Sequence, residues 1–328
     1  MGPMPRVLVT RRLPSVVMNR LAAACTVDLH DGADDLTPAE LRARLAGADA
    51  VVALLTNRFD AATFDAGLPT LKVVANVAVG YDNIDVAAAH DRGIIVTNTP
   101  DVLTDATADL AMGLILDVMR RLAEGDRLIR RDGWRGWAFD FMLGRDLRGK
   151  QLGIVGAGRI GRAVAARARA FGMSIAYVAR PGRRHDAEAD ARWMSLDELL
   201  VSSDVVSLHV PLTPETRHLI GQKELARMKR SAFLVNTTRG PVVDEGALAW
   251  ALREHLIAGA ALDVFEREPV VHPDMLPLEN VVLVPHLGSA TVETRTAMAD
   301  LAARNVIAVL GGGAPLTPVT LPTRGEGR

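Results

Sequence analysis

A glycine-rich segment is the part of this 328-residue chain whose residue types and spacing most directly indicate chemistry. Gly156, Gly158 and Gly161 form the pattern G-x-G-x-x-G. In such a loop the first glycine permits a tight turn, the second lets the backbone approach a pyrophosphate, and the third lets a helix pack closely on a strand. Free amides and partial positive charge at the start of that helix favour phosphates. The segment therefore predicts a dinucleotide site, which also includes Arg159 and Ile160.

The elements on either side of the loop must hold it in place, and their patterns agree with this role. Residues 151–155 (QLGIV) have the pattern of a strand, residues 162–171 that of a helix, and residues 174–178 (SIAYV) that of a second strand. Strand, glycine turn, helix and strand within about 30 residues make the βαβ unit that binds dinucleotides. The glycine pattern alone is a weak signal, because an ordinary β–α turn can also be rich in glycine. The flanking elements favour the dinucleotide interpretation.

The end of the second strand bears on which dinucleotide binds. An NAD site usually carries Asp or Glu about 20 residues after the loop, where the carboxylate accepts hydrogen bonds from the ribose hydroxyls. This position holds Ala179, and Arg180 follows it. No carboxylate is present there to repel a 2′-phosphate, and a guanidinium can hold one through charge-assisted hydrogen bonds. We therefore expect NADP(H) to be preferred, with NAD(H) as the second choice. The alternative is that the basic segment 180–184 is only a solvated loop.

The rest of the chain alternates short runs of β-branched residues with amphipathic stretches, which predicts an α/β fold with parallel sheets covered on both faces. The predicted strands are 6–10, 26–29, 50–55, 71–77, 93–97, 152–155, 174–178, 204–209, 232–236, 259–264 and 281–284. Two long helices, 103–125 and 291–310, bracket the central block. We expect them to connect two domains. The expected domains are residues 1–98 together with 288–328, and residues 99–287 with the glycine loop.

Composition argues against several functional classes. Apolar residues make up 49% and charged residues 23% of the chain, as in soluble globular proteins. The net charge of −1 provides no general attraction for nucleic acid or for an anionic membrane surface. No apolar run approaches the ~18 residues of a transmembrane helix. Cys25 is the single cysteine, so no internal disulfide can form, which suits a cytoplasmic enzyme. A metal site would need His or carboxylate ligands, and none is expected.

Seven segments, in order along the chain, resemble those of the D-isomer-specific 2-hydroxyacid dehydrogenase family. They are NVAVGYDNID (76–85), VLTDATAD (102–109), GAGRIG (156–161), HVPLTPET (209–216), NTTRG (236–240), LDVFEREP (262–269) and PHLGSAT (285–291). Each is weak alone, and their shared order carries the resemblance. Residues 141–150 (FMLGRDLRGK) are similar to the glyoxylate/hydroxypyruvate reductase branch. The resemblance implies two Rossmann-like doubly wound domains, with a discontinuous flavodoxin-like domain binding substrate, and a homodimer.

The resemblance also implies NAD(P)H-dependent reduction of a small 2-keto acid, glyoxylate or hydroxypyruvate first, to the D-2-hydroxy acid. It implies a catalytic Arg, Glu and His, which map onto Arg239, Glu268 and His286. Glu266 competes for the glutamate role, and we prefer Glu268 because it immediately precedes Pro269. These residue types suit the chemistry. Histidine exchanges a proton near neutral pH, a carboxylate fixes its tautomer, and a guanidinium binds the substrate carboxylate and polarises its carbonyl.

The family implies further binding positions. For the cofactor, beyond the glycine loop, Ala179 and Arg180, these are Thr104, His209, Pro211, Thr216, Thr237, Thr238, Asp263 and Gly288, with Arg239 and His286. For the substrate they are Leu55 (with Leu54 beside it), Val79, Gly80, Arg239 and His286. Asp263 is expected to form a hydrogen bond with the nicotinamide carboxamide. The alternative is that its side chain makes only a structural hydrogen bond within the protein. The family also places three residues at the dimer interface, for which ordinary core packing is the alternative. They are Trp134, Trp137 and Phe141.

Two alternatives stay open at this point. Phosphoglycerate, D-lactate, formate and phosphite dehydrogenases share the scaffold, and no motif specifies the side chains that select among keto acids. Some relatives with this fold are transcriptional corepressors, which bind the cofactor, act as interaction proteins and can retain the three catalytic residue types. Long tails or a peptide-binding insertion would favour the corepressor class, and the sequence shows neither.

Overall fold

The computed structural model describes residues 3–179 and 191–321, which form two compact α/β units. Unit 1 comprises Met1–Leu103 and Thr291–Arg328, and unit 2 comprises Thr104–Ala290. The chain thus begins in unit 1, passes through unit 2 and returns to unit 1. Both units are built on parallel sheets, so the predicted fold class is confirmed. The assignment of substrate binding to unit 1 stays a prediction.

Unit 1 is built on five parallel strands, β1 (Arg6–Val9), β2 (Thr26–Leu29), β3 (Ala50–Ala53), β4 (Val73–Asn76) and β5 (Ile95–Thr97). Four helices connect them, α1 (Ser15–Ala24), α2 (Pro38–Leu45), α3 (Ala61–Gly67) and α4 (Val86–Asp91). The order across the sheet, β2-β1-β3-β4-β5, is the flavodoxin-like doubly wound order. Successive residues of a strand enter opposite cores, since Leu8 packs in one and Val7 and Val9 in the other. Both faces of the sheet are therefore covered.

Unit 2 has six helices, α5 (Thr104–Arg120), α6 (Leu122–Arg130), α7 (Arg159–Ala170), α8 (Leu196–Ser202), α9 (Gln222–Leu225) and α10 (Glu245–Arg253), among its described residues. The described part of the unit also forms seven parallel strands, β6 (Gln151–Val155), β7 (Ser174–Val178), β8 (Ala191–Trp193), β9 (Val205–Leu208), β10 (Phe233–Asn236), β11 (Gly259–Leu262) and β12 (Val281–Leu283). Their order is β12-β11-β10-β9-β6-β7-β8. Counted from β6, six strands follow the Rossmann order 3-2-1-4-5-6, and β12 extends the sheet. The order reverses between β6 and β9, where such sheets bind ligands.

The helices of unit 2 bury the sheet on both faces. On one face α5 and α7 pack with Ile115 and Val164 fully buried, and on the other α8 and α10 pack with Leu199 and Leu248 fully buried. The last helix, α11 (Val292–Leu310), belongs to unit 1 and shares a core with α1. In the part of the chain that the structure describes, no helix is both long and apolar enough to cross a membrane.

The prediction of one helix over residues 103–125 is wrong. α5 ends at Arg120, Arg121 has a left-handed φ of +57°, and α6 follows. The break is stabilised locally, because Asp117 accepts a hydrogen bond from the Ala123 amide at 2.7 Å and so satisfies a donor at the start of α6. No glycine or proline marks this position, so the helical pattern continues through it without a signal.

Strand β8 is not among the predicted strands. It has three residues at the edge of the sheet, and two of them, Arg192 and Trp193, are exposed. A strand this short and this exposed shows neither an apolar run nor an alternation. Its pairing with β7 is therefore visible only in the fold.

Candidate active site

The loops that follow β6, β9, β10, β11 and β12 leave the carboxyl edge of the unit 2 sheet. Parallel strands end at the same edge, and ligands of doubly wound sheets bind there, beside the reversal of strand order. The first of these loops is the glycine loop. The others carry, in turn, His209, Arg239, Asp263 with Glu268, and His286. The structure thus brings the predicted catalytic residues and much of the predicted cofactor set to one edge.

The glycine loop turns from β6 into α7, and backbone packing requires two of its glycines. Gly156 has a left-handed φ of +104°, and a Cβ there would lie 2.7 Å from the carbonyl carbon of His209. A Cβ at Gly161 would lie 2.3 Å from the Gly156 carbonyl oxygen. A Cβ at Gly158 would meet no described atom within 4 Å, so the loop is open on that side. This opening leaves room for a ligand where the glycine pattern predicts the pyrophosphate.

The start of α7 fits a phosphate-binding role. Its N-cap is Gly158, which has no side chain to cap the helix amides. The first amides of an α-helix have no partner inside the helix, and they carry partial positive charge. The backbone donors at the start of α7 are therefore not capped by the N-cap side chain, as the predicted dinucleotide site requires. β7 ends nearby, since the Gly156 amide donates to the Val178 carbonyl at 3.1 Å. Ala179 follows half-buried, and Arg180 lies outside the described residues.

The loop after β9 begins with His209, which is half-buried and whose Nδ1 atom is shielded from solvent. Burial lowers the pKa of His209 to about 4, so the ring is neutral at pH 7. Nε2 lies 2.9 Å from Ser207 Oγ, whereas Nδ1 has no hydrogen-bond partner among the described residues. The His209 amide donates to the Val155 carbonyl at 2.7 Å, which ties the loop to the end of β6. The backbone of His209 therefore lies next to the glycine loop.

The same loop is closed by Thr216. Its hydroxyl donates to the Pro211 carbonyl at 2.7 Å and accepts a hydrogen bond from the Thr213 amide at 2.8 Å. Thr216 is buried, whereas Pro211 is exposed. Thr216 therefore shapes the loop, and a contact of either residue with the cofactor stays a prediction.

His286 and Glu268 form a hydrogen-bonded pair. His286 Nδ1 lies 2.9 Å from Glu268 Oε2, and the Phe265 amide donates to Glu268 Oε1 at 3.1 Å. Burial alone would raise the pKa of Glu268, but the hydrogen bond and charge of His286, with the Phe265 bond and the charge of Arg239, bring the pKa below its ordinary value. The ionised carboxylate favours a proton on Nδ1. His286 Nε2 is then the ring atom left to exchange a proton with a ligand.

Glu266, the competing candidate for the glutamate role, has different partners. Its Oε1 lies 3.0 Å from His218 Nε2 and accepts a hydrogen bond from the Glu245 amide at 3.1 Å. The Glu266 amide donates in return to Glu245 Oε1 at 2.6 Å. Glu245 is buried, and burial raises the pKa of its carboxyl group. The geometry favours Glu268 as the partner of His286.

Arg239 follows β10 in a turn that Asn236 holds. The Asn236 side chain donates to the Arg239 carbonyl at 3.0 Å and accepts hydrogen bonds from the Thr238 amide and hydroxyl at 3.0 and 2.8 Å. A Cβ at Gly240 would lie 1.8 Å from the Phe265 carbonyl carbon, so this turn packs against the loop after β11 in a way that only glycine permits. Asn236 is not among the site residues predicted from the sequence. Its position at a strand end, where Asn side chains form turns, is the signal that marks it.

Asp263, the first residue after β11, holds the turn that carries His286. Its carboxylate accepts hydrogen bonds from the amides of Leu287 and Gly288, the latter at 2.8 Å, and its carbonyl accepts one from the His286 amide at 2.9 Å. Burial raises the pKa of Asp263. His286 has a left-handed φ of +52°, which these bonds help to maintain. Asp263 thus makes the structural hydrogen bonds of the alternative interpretation, and its contact with nicotinamide stays a prediction.

Proteins with similar sequences identify the family to which this site belongs. The family model for the D-isomer specific 2-hydroxyacid dehydrogenase NAD binding domain matches residues 112–288. A glyoxylate reductase of Korarchaeum cryptofilum is 50% identical over 317 residues, which cover 95% of this chain and 94% of the relative. The chain belongs to the D-isomer specific 2-hydroxyacid dehydrogenase family. It is a nicotinamide-dependent dehydrogenase, as the sequence predicts.

Other members of the family are similar over nearly the whole chain. A glyoxylate reductase of Thermococcus onnurineus is 48% identical over 320 residues, which cover 96% of each protein. An NADPH-dependent glyoxylate/hydroxypyruvate reductase from Sinorhizobium meliloti, crystallised with NADP and malonate, is 38% identical with a TM-score of 0.86, and 97% of each chain is covered. The prediction of the family and of its glyoxylate reductase branch is confirmed.

The remaining binding residues that the family resemblance predicts lie near the ends of strands or helices. In unit 2, Thr104 begins α5, and Thr237, just after β10, has a buried hydroxyl without a hydrogen-bond partner among the described residues. In unit 1, Leu55 lies just after β3 and is exposed, and Val79 and Gly80 come after β4 and are half-buried. Their contacts with cofactor or substrate stay predictions.

Proposed function

We propose that this dehydrogenase reduces a small 2-keto acid, glyoxylate first and hydroxypyruvate second, with NADPH. The observation that carries the proposal is the 2.9 Å hydrogen bond between His286 and Glu268, at the sheet edge that also carries the glycine loop. Reduction of a carbonyl requires a proton donor next to the bound dinucleotide. The hydrogen bond to Glu268 fixes the tautomer of His286 that this role needs. The choice of keto acid is supported by the relatives, which are glyoxylate reductases and a glyoxylate/hydroxypyruvate reductase.

Binding and polarisation of the keto acid are assigned to Arg239. Its guanidinium can hold a carboxylate through two parallel N–H groups, and its positive charge draws electron density toward the carbonyl oxygen. The turn held by Asn236 gives Arg239 a defined backbone position. When bound, the nicotinamide cofactor supplies the hydride that reduces the carbonyl carbon. In unit 1, we assign the Val79 and Gly80 amides to the substrate carboxylate.

Proton transfer is assigned to His286. As the carbonyl carbon is reduced, its oxygen gains negative charge and takes a proton from His286 Nε2, which receives it back in the reverse reaction. Glu268 stays ionised, keeps the ring oriented through Nδ1, and stabilises the imidazolium form from which the proton leaves. Asp263 acts on the same ring indirectly, because it holds the backbone of the turn.

A substrate panel tests the proposed function. With NADPH, glyoxylate and hydroxypyruvate should have the highest kcat/KM, and pyruvate and phenylpyruvate should be slower by about 10-fold or more, the scale on which pockets discriminate small apolar groups. Consumption of NADPH measures the rates, and chiral analysis of the hydroxypyruvate product should show the D isomer. A mainly L product would contradict the family-based stereochemistry. Cofactor binding without turnover of any of the four acids would favour the interaction-protein alternative.

The preference for NADPH is inferred from the end of β7. Ala179 presents no carboxylate to repel a 2′-phosphate, and Arg180 supplies a cation next to it. In the same panel, kcat/KM should be higher with NADPH than with NADH by about 10-fold or more. Ala179→Asp should lower that ratio by about 10-fold, whereas Ala166→Asp, on the exposed side of α7, should leave it unchanged. A wild-type preference for NADH would rule this inference out.

We also propose that the enzyme is a homodimer, formed through the apolar segment 134–143. Trp137 and Phe139 are 81% and 85% exposed, so the core-packing alternative for Trp137 is wrong. A contiguous exposed apolar patch marks an interaction surface, and exposed aromatic residues are typical of interface centres. A second copy of the chain is the expected partner, because the reductase branch uses this region for dimers and two-fold dimers are the commonest assemblies.

Charged substitutions test the dimer. Trp137→Asp combined with Phe139→Asp should shift the protein from dimer to monomer in sedimentation velocity, because the interface would have to bury two carboxylates. Val201→Asp is the matched control, since Val201 is an apolar residue of α8 that is 58% exposed outside this segment. Monomeric wild-type protein, or an unchanged dimer in the double variant, would contradict the proposal.

A further inference from the structure

A turn after β4 has its carbonyl groups anchored by neighbouring donors. The Thr99 amide donates to the Ala78 carbonyl at 2.9 Å. The side-chain amide of Asn98 donates to the Val79 carbonyl at 2.8 Å. Two successive peptide groups of the turn are therefore held through their oxygens, by residues that lie about 20 positions further along the chain.

The N–H groups of the same two peptides are left as donors. In a trans peptide the N–H points opposite to the C=O within one plane. Anchoring the Ala78 carbonyl therefore directs the Val79 N–H away from Thr99, and anchoring the Val79 carbonyl directs the Gly80 N–H away from Asn98. In the described part of the chain, no hydrogen bond uses either of these N–H groups as its donor. Successive free backbone N–H groups are suited to binding an anion.

Asn76 and Asn83 hold the next carbonyl and tie the turn to the loop after β3. The two side-chain amides face each other, with each Nδ2 3.3 Å from the other Oδ1. Asn76 Nδ2 also donates to the Gly80 carbonyl at 2.9 Å, and Asn83 Nδ2 to the Asn57 carbonyl at 2.9 Å. Asn76 is fully buried. Rotation of either amide would leave a buried donor unpaired, which is costly, so the pair is a stiff support for the turn.

We propose that Asn98 and the Asn76–Asn83 pair are positioning residues for substrate recognition, which keep the Val79 and Gly80 amides in place for the carboxylate of the 2-keto acid. Asn98 does so by holding the Val79 carbonyl, which directs the Gly80 amide, and the pair does so by fixing the Gly80 carbonyl at the end of the same turn. The inference rests on the proposed function and adds which side chains set the geometry of its carboxylate donors. Side-chain amides suit this task, since they donate through NH₂ and do not titrate. Their effect should fall on substrate affinity, because the carboxylate is not the reacting group.

Asn98→Asp tests the inference, since the carboxylate has the same shape but places an acceptor against the Val79 carbonyl. At saturating NADPH, the KM for glyoxylate should rise about 10- to 100-fold, as expected when a hydrogen bond to a charged group is lost. The kcat should change less than about 3-fold, the pattern of an interaction made equally in ground and transition states. Oxamate, a non-reacting mimic of the substrate, should lose affinity by the same factor, and the Kd of NADPH should stay within about 2-fold.

Two further variants keep the test independent of folding. Asn83→Asp acts on the Gly80 carbonyl through Asn76, and it should change KM and oxamate affinity in the same direction as Asn98→Asp. Asn280→Asp is the matched control, because Asn280 Nδ2 also donates to backbone carbonyls, at 3.1 Å to Leu252, at the far end of β12 from His286. It should leave KM and oxamate affinity unchanged.

Unchanged KM and oxamate affinity in both Asn98→Asp and Asn83→Asp would overturn the inference, as would an equal loss in Asn280→Asp. Failure of the proposed function has a different signature, namely that wild-type enzyme does not reduce glyoxylate. In that case we would measure oxamate binding by calorimetry with NADPH present, for the wild-type protein and the three variants. This binding still reports on the Val79 and Gly80 amides. An oxamate affinity that falls only in the two turn variants would support their positioning role without turnover.

Discussion

Replacing His286 with asparagine is expected to lower kcat for glyoxylate reduction by about 100- to 10,000-fold, the usual contribution of a positioned general acid. Asparagine cannot supply the proton, yet it tolerates a left-handed backbone, so the φ of +52° at this position can be retained. The Kd of NADPH, measured by fluorescence titration, should stay within about 3-fold, because the glycine loop is unchanged.

His218 offers a matched control for this variant. It has a left-handed φ of +50°, and its Nε2 lies 3.0 Å from Glu266 Oε1, so both its backbone and its carboxylate partner parallel those of His286. His218→Asn should retain kcat within about 2-fold. If His286→Asn kept more than about a tenth of wild-type kcat, the proton would have to come from another group. Equal losses in the two variants would point to folding and not to catalysis.

The second large effect is expected for Arg239→Lys, with a fall of about 100-fold or more in kcat/KM. Lysine keeps the positive charge, which contributes to the low pKa of Glu268, but it cannot present two parallel N–H donors to a carboxylate. The loss therefore reports the geometry of the guanidinium separately from its charge. KM should rise because binding of the keto acid weakens, and kcat should fall because negative charge on the carbonyl oxygen is less well stabilised.

Arg267→Lys is the control, since Arg267 is exposed in the same loop as Glu268. It should change kcat/KM by less than about 2-fold in steady-state assays with glyoxylate. A rise in KM alone for Arg239→Lys would restrict Arg239 to substrate binding. An unchanged kcat/KM would remove Arg239 from the reaction, and the carboxylate would then need another cation.

Much of the fold could be predicted because its signals are local. The strands at 151–155 and 174–178 are apolar runs typical of buried parallel strands, and they form β6 and β7. The glycine loop is equally local, since Gly156 meets a backbone need that only glycine satisfies. The helix break at Arg121 and the edge strand β8 carry no such mark, because a nearby carboxylate stabilises one and pairing with β7 forms the other.

The candidate site was predictable as a set of residues but not as an arrangement. The motifs named Arg239, Glu268 and His286, and the parallel order of strands implied that loops after them share one edge. The motifs did not indicate that Asp263 would hold the His286 turn through both carboxylate oxygens. Those bonds join residues more than 20 positions apart, so they depend on the pairing of β11 with β12.

The sequence by itself determined the doubly wound α/β class, the dinucleotide loop and the family, because strand periodicity, glycine sterics and motif order are properties of neighbouring residues. Only the tertiary structure decided which glutamate meets His286. Glu266 and Glu268 have the same chemistry and lie two positions apart, and the sequence favours Glu268 only through the family resemblance at Pro269. The loop after β11 is held where Gly240 packs on its backbone and Glu245 bonds to Glu266, which leaves Glu268 as the carboxylate that reaches His286.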